Sequence, residues 1–200
     1  MKKIILVVVA LLIAGCIGGE EKLEEEKKVL IIVPPYDFNY DEFIGVKDSL
    51  EKDVKIVTMS SVEEPISEDG KKIVVDVDSS KFGTAMARIN ISEYSAFVFI
   101  GGRGVKAYFE DRVIASIIKY GFEMGILGAI GTAPVILATA HTETVFEGRN
   151  MTCDPSQIQN LTKMGVNYVE ENVVVDGNII TASGADYAQE FAEAIKSKLS

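Results

Sequence analysis

The sequence predicts a single α/β domain with a doubly wound, mostly parallel sheet sandwiched between helices. Three uninterrupted apolar runs, at residues 29–33, 97–100 and 125–130, are typical of strands buried on both faces of a parallel sheet. Segments with apolar residues at helical spacing lie between these runs. Strand and helix therefore alternate along the chain, which is the pattern of a doubly wound sheet.

Three helices are predicted from apolar spacing, over residues 43–50, 109–118 and 187–199. The predicted further strands are residues 54–58, a short excursion at the sheet edge within residues 70–78, and a hairpin over residues 173–180 that turns at Asp176-Gly177-Asn178.

Residues 124–140, MGILGAIGTAPVILATA, are built like a nucleophile elbow. An apolar run turns sharply at Gly131-Thr132 into Pro134 and a second apolar stretch, which is the strand, turn and helix that elbow chemistry requires. Glycine stands where the nucleophile would be, so the turn is kept and the reactive atom is missing.

The N-terminus predicts export. Lys2 and Lys3 precede the apolar residues 4–14, and Gly15-Cys16 follow, which is similar to a prokaryotic lipobox. We therefore predict a lipoprotein signal peptide at 1–15 and lipidation of Cys16, with membrane lipid as a partner and the domain facing outside the cytoplasm. The alternative is a plain signal peptide or an uncleaved anchor.

Residues 16–28 predict a charged tether between the lipid and the domain, or alternatively a short solvated helix. The net charge of −10 becomes −12 without residues 1–15, because that segment carries two lysines and no acid. This balance disfavours nucleic acid and anionic lipid surfaces as partners.

Residues 29–200 are predicted to form the one domain, with no cofactor and no metal site. Besides Cys16 the chain has one cysteine, Cys153, so an internal disulfide is not expected. Three N-x-S/T sequons, at Asn90, Asn150 and Asn160, are compatible with glycosylation outside the cell.

Residues 94–103, the elbow through Pro134, and residues 168–181 together resemble the ThiJ/PfpI superfamily, over about residues 29–198. The resemblance implies a flavodoxin-like, class I glutamine-amidotransferase-like fold. The superfamily includes intracellular-protease-like proteins, glyoxalases, proposed deglycases and chaperones. Its members commonly form dimers and higher oligomers, so a homo-oligomer is expected.

The chain departs from the superfamily at its catalytic positions. Active members carry A-I-C-H-G-P at the elbow, whereas residues 129–134 place Gly131 for the cysteine and Thr132 for the histidine. The superfamily glutamate after the first strand aligns best with Asn39. If that loop is shifted, the glutamate position falls instead on an acidic neighbour, namely Asp37, Asp41 or Glu42.

Two other positions offer a nucleophile in place of residue 131. A Thr132–His141 pair is disfavoured, since His141 lies ten residues beyond the turn, about 15 Å along a helix. Cys153 is the fallback nucleophile, although Asp154 beside it should raise its pKa rather than activate it. A structural, half-buried cysteine is the alternative for this residue.

A small anion is the predicted ligand. The amides of Thr132 and Ala133 at the helix start, next to Gly131, are expected to attract a carboxylate or phosphate that Gly102 and Arg103 complete. The alternative is that Gly102 only turns the chain and Arg103 is solvated.

These observations predict a membrane-anchored, non-catalytic domain that binds, senses or scaffolds. The rival hypothesis is an active glyoxalase-, deglycase- or cysteine-peptidase-like enzyme that uses Cys153 or a residue supplied in trans. A solute-binding lipoprotein fits the anchor but not the fold, since about 170 residues are few for two hinged lobes.

Overall fold

A computed structural model of the chain describes residues 26–81, 89–139 and 145–200. Within these ranges the chain forms eleven strands and five α-helices. The strands are β1 Lys28–Ile32, β2 Tyr36–Phe38, β3 Lys55–Ser60, β4 Ile66–Ser67, β5 Val77–Asp78, β6 Ala96–Phe99, β7 Ile126–Ile130, β8 Asn150–Met151, β9 Asn167–Tyr168, β10 Val173–Asp176 and β11 Ile179–Ala182. The helices are α1 Tyr40–Leu50, α2 Arg112–Met124, α3 Pro134–Thr139, α4 Ile158–Lys163 and α5 Ala188–Leu199.

The central sheet has seven strands in the order β10-β11-β7-β6-β1-β3-β5. All its neighbours are parallel except the β10–β11 hairpin. This sheet confirms the predicted fold class, and the hairpin turns at Gly177, whose φ is +64°. Two pairs of very short strands, β2 with β4 and β8 with β9, were not predicted from the sequence.

The core lies on both faces of this sheet. Alternate residues of a strand point to opposite faces, and in β1 Leu30 and Ile32 join one apolar cluster while Val29 and Ile31 join the other. The first cluster is completed by α2, α3 and α4, and the second by α1 and α5. The fully buried run in β1 is therefore what a helix layer on each face requires.

Helix α1 follows β1 and the short strand β2, and it packs against one face of the sheet. The Asn39 side chain accepts a hydrogen bond from the Glu42 amide at 3.1 Å, so Asn39 is the N-cap of α1. Phe43, Val46 and Leu50 then face the core, at the spacing that predicted this helix. The cap fixes the register of the first turn and thereby the direction of Glu42.

Several predicted features lie outside the described residues. The signal peptide at 1–15, Cys16 and nearly all of the tether precede residue 26, and His141 falls between residues 139 and 145. Among the helices that are described, none is long and apolar enough to cross a membrane.

Candidate functional site

The sharp turn after β7 has the backbone geometry of a nucleophile elbow. Gly131 has a φ of +63°, in the left-handed region that favours glycine. Its amide donates to the Ala182 carbonyl at 2.9 Å, and its carbonyl accepts from the Asp154 amide at 2.8 Å. The turn is therefore fixed between β11 and the segment that contains Cys153.

Glu42 fills the space in front of this turn. Its side chain is 3% exposed, and its Oε2 accepts a hydrogen bond from the Gly101 amide at 2.8 Å. A Cβ built on Gly131 would lie 2.0 Å from Oε1 of Glu42. The carboxyl group thus occupies the position from which a side chain at residue 131 would extend.

The structure corrects the preferred alignment of the loop after β1. Asn39, expected at the position of the superfamily glutamate, is instead the N-cap of α1. The residue beside Gly131 is Glu42, which the sequence offered only as an alternative if the loop is shifted. An asparagine before two acidic residues is a signal for a helix N-terminus and could have marked Asn39 as the cap. It does not place the Glu42 carboxyl group, because a capping box would turn that group to the Asn39 amide rather than to the Gly101 amide.

Burial raises the pKa of Glu42 from its ordinary value of 4.5 to about 8. The hydrogen bond from the Gly101 amide favours the carboxylate and opposes this shift, whereas the nearby Asp154 and Glu68 disfavour a further negative charge. Glu42 is consequently protonated at neutral pH, and a neutral carboxylic acid faces Gly131.

The Thr132 hydroxyl is engaged with the neighbouring strand connection. Its Oγ1 accepts from the Gly102 amide and donates to the Gly102 carbonyl, both at 2.8 Å. A hydroxyl that bridges the two backbone groups of one residue has its proton committed, which makes it a poor nucleophile. Thr132 therefore joins the segments that follow β6 and β7.

The Gly101-Gly102 turn passes too close to its surroundings to carry side chains. Gly102 has a φ of +116°, and a Cβ on it would lie 2.3 Å from the Asp37 carbonyl oxygen. A Cβ on Gly101 would lie 2.7 Å from Oε2 of Glu42. The loop that contains Asp37 closes tightly over this turn, and Asp37 itself has a φ of +47°.

Arg103 is exposed and paired with two carboxylates. Its guanidinium lies 3.4 Å from Glu68 and 3.6 Å from Asp37, and its amide donates to Glu68 at 2.8 Å. Its side chain is 70% exposed, so each ion pair contributes little energy, yet the positive charge is balanced.

The structure engages two of the amides predicted to bind an anion. The Gly102 amide donates to the Thr132 hydroxyl, and the Ala133 amide donates to the Ile130 carbonyl at 3.1 Å. Asp154 and Glu68 act electrostatically on Glu42, and their negative charge disfavours an anion near it. Gly131, Thr132, Gly102 and Arg103 do meet, with the amides of Gly102 and Ala133 already engaged.

Cys153 is buried in the apolar cluster on the α2 face of the sheet. Burial, and to a smaller extent the charge of Asp154, raise the pKa of its thiol to about 12. The sequence predicted that Asp154 raises this pKa, and the direction is confirmed. The sequence alternative was a half-buried structural cysteine, whereas Cys153 is fully buried. Since the thiolate is the nucleophile, a thiol with this pKa is inert near neutral pH.

No three His, Cys, Asp or Glu side chains in the described ranges are grouped closely enough to hold a metal ion. The acids around Gly131 come from three separate places, namely the first turn of α1, the segment after β4 and the segment after β8. Only Glu42 lies beside a sequence signal, which is the helix N-cap at Asn39. Glu68 is brought to the Arg103 amide by the pairing of β2 with β4. This pairing joins distant parts of the chain, and no local sequence pattern indicates it.

The fold and the elbow together define a class of protein. A doubly wound sheet with a left-handed turn after a central strand and a buried glutamate facing it is the arrangement of the superfamily that the sequence resembles. Residues 27–198 match the DJ-1/PfpI family, so the chain belongs to this family.

Curated relatives include an archaeal and an animal protein. An uncharacterized protein of Methanocaldococcus jannaschii is 36% identical over 107 residues, which is 52% of this chain and 51% of that protein. The chain therefore matches about half the length of that relative. A glutathione-independent glyoxalase of Caenorhabditis elegans, DJR-1.2, is 29% identical over 162 residues, covering 80% of this chain and 81% of that protein.

Solved structures agree with the architecture. A ThiJ/PfpI domain protein from Brachyspira murdochii superposes with a TM-score of 0.77 at 26% identity, covering 88% of this chain and 97% of that one. Drosophila melanogaster DJ-1beta superposes with a TM-score of 0.74, also at 26% identity, covering 87% and 90%.

Proposed function

We propose that this chain is a DJ-1/PfpI domain without cysteine catalysis, held at the outer face of the cell membrane by a lipid on Cys16, where it binds, senses or scaffolds. The observation that carries the proposal is the place of Glu42. Its neutral carboxyl group fills the space from which a nucleophilic side chain at residue 131 would extend.

The other candidate nucleophiles support the same conclusion. The Thr132 hydroxyl is bonded to both backbone groups of Gly102. Cys153 lies in the core with a thiol pKa of about 12. A covalent intermediate needs an exposed and activated nucleophile, and neither group meets both conditions.

The engaged amides and the nearby acids change what the domain is expected to bind. The acids around Gly131 and the balanced charge of Arg103 disfavour a carboxylate or phosphate ligand there. A ligand at this turn is therefore expected to be neutral rather than anionic.

Catalysis is tested by methylglyoxal consumption and peptide hydrolysis with the full chain, beside Cys153→Ser and Cys153→Ala variants. The glyoxalase DJR-1.2 of Caenorhabditis elegans is the positive control for the first assay. We expect no turnover above buffer in any form of this chain. Turnover that both Cys153 variants lose would establish an enzyme that uses this thiol. Turnover that survives in them but falls steeply on dilution would indicate a residue supplied in trans.

Anchoring is tested separately, with the two cysteines as matched variants. The full chain is expressed in a bacterium that processes lipoproteins, and membrane and soluble fractions are compared. We expect Cys16→Ser to abolish the mass added by lipid, whereas Cys153→Ser keeps it. Equal masses for wild type and Cys16→Ser would overturn the lipid anchor and leave the catalytic question untouched.

A further inference from the structure

The three N-x-S/T sequons fall in three different local structures. Asn90 precedes a single 3₁₀ turn at Ile91–Glu93, Asn150 begins β8, and Asn160 lies inside α4. Each sequon pairs an asparagine amide with a hydroxyl two residues later. A transferase that acts on the folded domain therefore has to reach both groups from solvent, and the bulky glycan must then extend away from the protein.

The sequon at Asn150 is closed by the fold. Thr152 is fully buried, and its hydroxyl donates to the Glu171 carbonyl at 2.7 Å. The Asn150 side chain also accepts a hydrogen bond from the side-chain amide of Asn167. The hydroxyl that this sequon requires is thus committed to another group and out of reach of an enzyme.

The sequon at Asn160 is split by its helix. Residues two positions apart lie about 200° apart around an α-helix, so Asn160 and Thr162 face opposite sides of α4. The Thr162 hydroxyl donates to the Ile158 carbonyl at 2.9 Å. Nδ2 of Asn160 donates to the Gln157 side chain at 2.9 Å. Both residues of the sequon are exposed, but an enzyme cannot engage them from one side while the helix is formed.

The sequon at Asn90 presents both groups together. Asn90 and Ser92 are exposed, and the Ser92 hydroxyl donates to Oδ1 of Asn90 at 2.7 Å. The turn is held by the Glu93 amide, which donates to the Asn90 carbonyl at 3.0 Å. Nδ2 of Asn90 donates to the exposed Glu93 carboxylate at 3.2 Å. This surface hydrogen bond contributes little energy, because water can replace it.

We infer that Asn90 is the N-glycosylation site of the folded domain, with an oligosaccharide linked through phosphate to a lipid as the second substrate. Nδ2 of Asn90 forms a bond to the anomeric carbon of the first sugar as the bond from that carbon to the phosphate oxygen breaks. The nitrogen releases one proton, and the lipid phosphate is the leaving group. The inference rests on the proposed export, because this acceptor motif is used in secreted proteins.

The sequon lies at the end of the sheet where the tether enters the domain. Glu93 forms a 2.6 Å ion pair with Lys28, the first residue of β1, and the Ser95 amide donates to the Lys28 carbonyl. The turn at Gly131 follows the carboxyl end of β7, and β7, β6 and β1 are parallel, so this turn lies at the opposite end of the sheet. A glycan on Asn90 therefore leaves the candidate site open and shields the base of the tether.

Transfer to the purified full chain in detergent tests this site. An oligosaccharyltransferase that accepts N-x-S/T is supplied with lipid-linked oligosaccharide, and mass spectrometry of the intact chain and its peptides reports occupancy. We expect one glycan on the wild type, none on Asn90→Gln, and one on the matched controls Asn150→Gln and Asn160→Gln. Glycans on Asn150 or Asn160 of the folded wild type at the rate of Asn90 would overturn the inference.

Short peptides centred on each of the three asparagines are measured beside the chain. We expect all three peptides to be modified, because the local structures that distinguish the sequons are absent from them. A folded chain that stays unmodified beside a modified Asn90 peptide would also overturn the inference.

The hydroxyl of Ser92 gives a second measurement on the same substrate. We expect Ser92→Ala to slow transfer at least about 10-fold, whereas Ser92→Thr keeps it and the control Thr162→Ala leaves it unchanged. These residues are exposed, and circular dichroism checks that each variant is folded. Equal rates for Ser92→Ala and the wild type would contradict recognition of this sequon.

Occupancy of Asn90 in cells tests the export separately. The full chain is expressed in a host that glycosylates exported proteins, and we expect Asn90 to be occupied. A chain that the purified enzyme modifies but that is unmodified in these cells would count against the proposed export and leave the assignment of Asn90 standing. Neither measurement depends on the turnover assays, so glycosylation and the absence of catalysis fail or stand separately.

Discussion

Oε1 of Glu42 lies 2.0 Å from the point where a Cβ on Gly131 would stand. Real Cβ atoms do not approach an oxygen this closely, so a side chain at residue 131 requires the end of the Glu42 side chain to shift. In its present position the Glu42 carboxyl group accepts a hydrogen bond from the Gly101 amide at 2.8 Å. A side chain at residue 131 would therefore be coupled to this hydrogen bond.

Gly131→Ala tests this relationship through the free energy of unfolding. The left-handed φ alone costs an alanine about 1–2 kcal/mol, and contact with Glu42 adds to that cost. Gly70→Ala is the control, since Gly70 has a φ of +83° and open space around its Cβ position. In urea unfolding we expect Gly131→Ala to be the more destabilising by about 1–3 kcal/mol.

A double-mutant cycle separates the contact from the backbone cost. Glu42→Ala removes the carboxyl group, so Gly131→Ala should cost less in that background by at least about 1 kcal/mol. If Gly131→Ala lowers the free energy of unfolding equally in both backgrounds, the Glu42 side chain moves aside without a measurable energetic cost.

The raised pKa of Glu42 predicts a pH dependence of stability. Between the unfolded value near 4.5 and the native value of about 8, the native state holds the extra proton. Raising the pH through this window therefore removes stability, by at most about 5 kcal/mol at about 1.4 kcal/mol per pH unit. The dependence should level off below pH 4.5 and above pH 8.

Urea unfolding at several pH values from 4.5 to 8.5 measures this slope. Glu42→Gln stays neutral at every pH and should flatten the curve, whereas the exposed Glu123→Gln should leave it as in the wild type. Parallel curves for wild type and Glu42→Gln would mean that Glu42 titrates normally.

Much of the fold could be predicted because its signals are local. Continuous apolar runs mark β1, β6 and β7, and a turn sequence marks the hairpin at Gly177. The candidate site was harder to predict, because tertiary contacts bring the acidic side chains close to Gly131. The register of Glu42 depends on the loop at Asp37, whose positive φ no local pattern indicates.

The same limit applies to the predicted anion site. The sequence suggests that Gly102 and Arg103 complete a site formed by the amides of Thr132 and Ala133. The partners of Gly102 and Arg103 are Thr132, 30 residues away from Gly102, and Glu68, 35 residues away from Arg103. A sequence pattern places a donor at a strand end, but it does not show which distant group has already taken it.

The double hydrogen bond of Thr132 predicts a structural role that serine can keep. Thr132→Val leaves the Gly102 amide and carbonyl without their partner, which should cost about 1–3 kcal/mol in urea unfolding and speed exchange of the Gly102 amide. Thr132→Ser preserves the hydroxyl and should cost less than about 1 kcal/mol. Equal losses for valine and serine would show that the methyl group matters rather than the hydroxyl.

Cys153 is predicted to be unreactive as long as the domain is folded. In the Cys16→Ser chain, a thiol reagent at pH 8 should modify Cys153 at least about 100-fold more slowly than the cysteine introduced by Val175→Cys, because thiolate fraction and exposure both favour the surface position. Modification should rise with urea in step with the loss of far-UV circular dichroism, since unfolding exposes the thiol. Rapid reaction of Cys153 in the native chain would make it a candidate nucleophile and would contradict the proposed absence of cysteine catalysis.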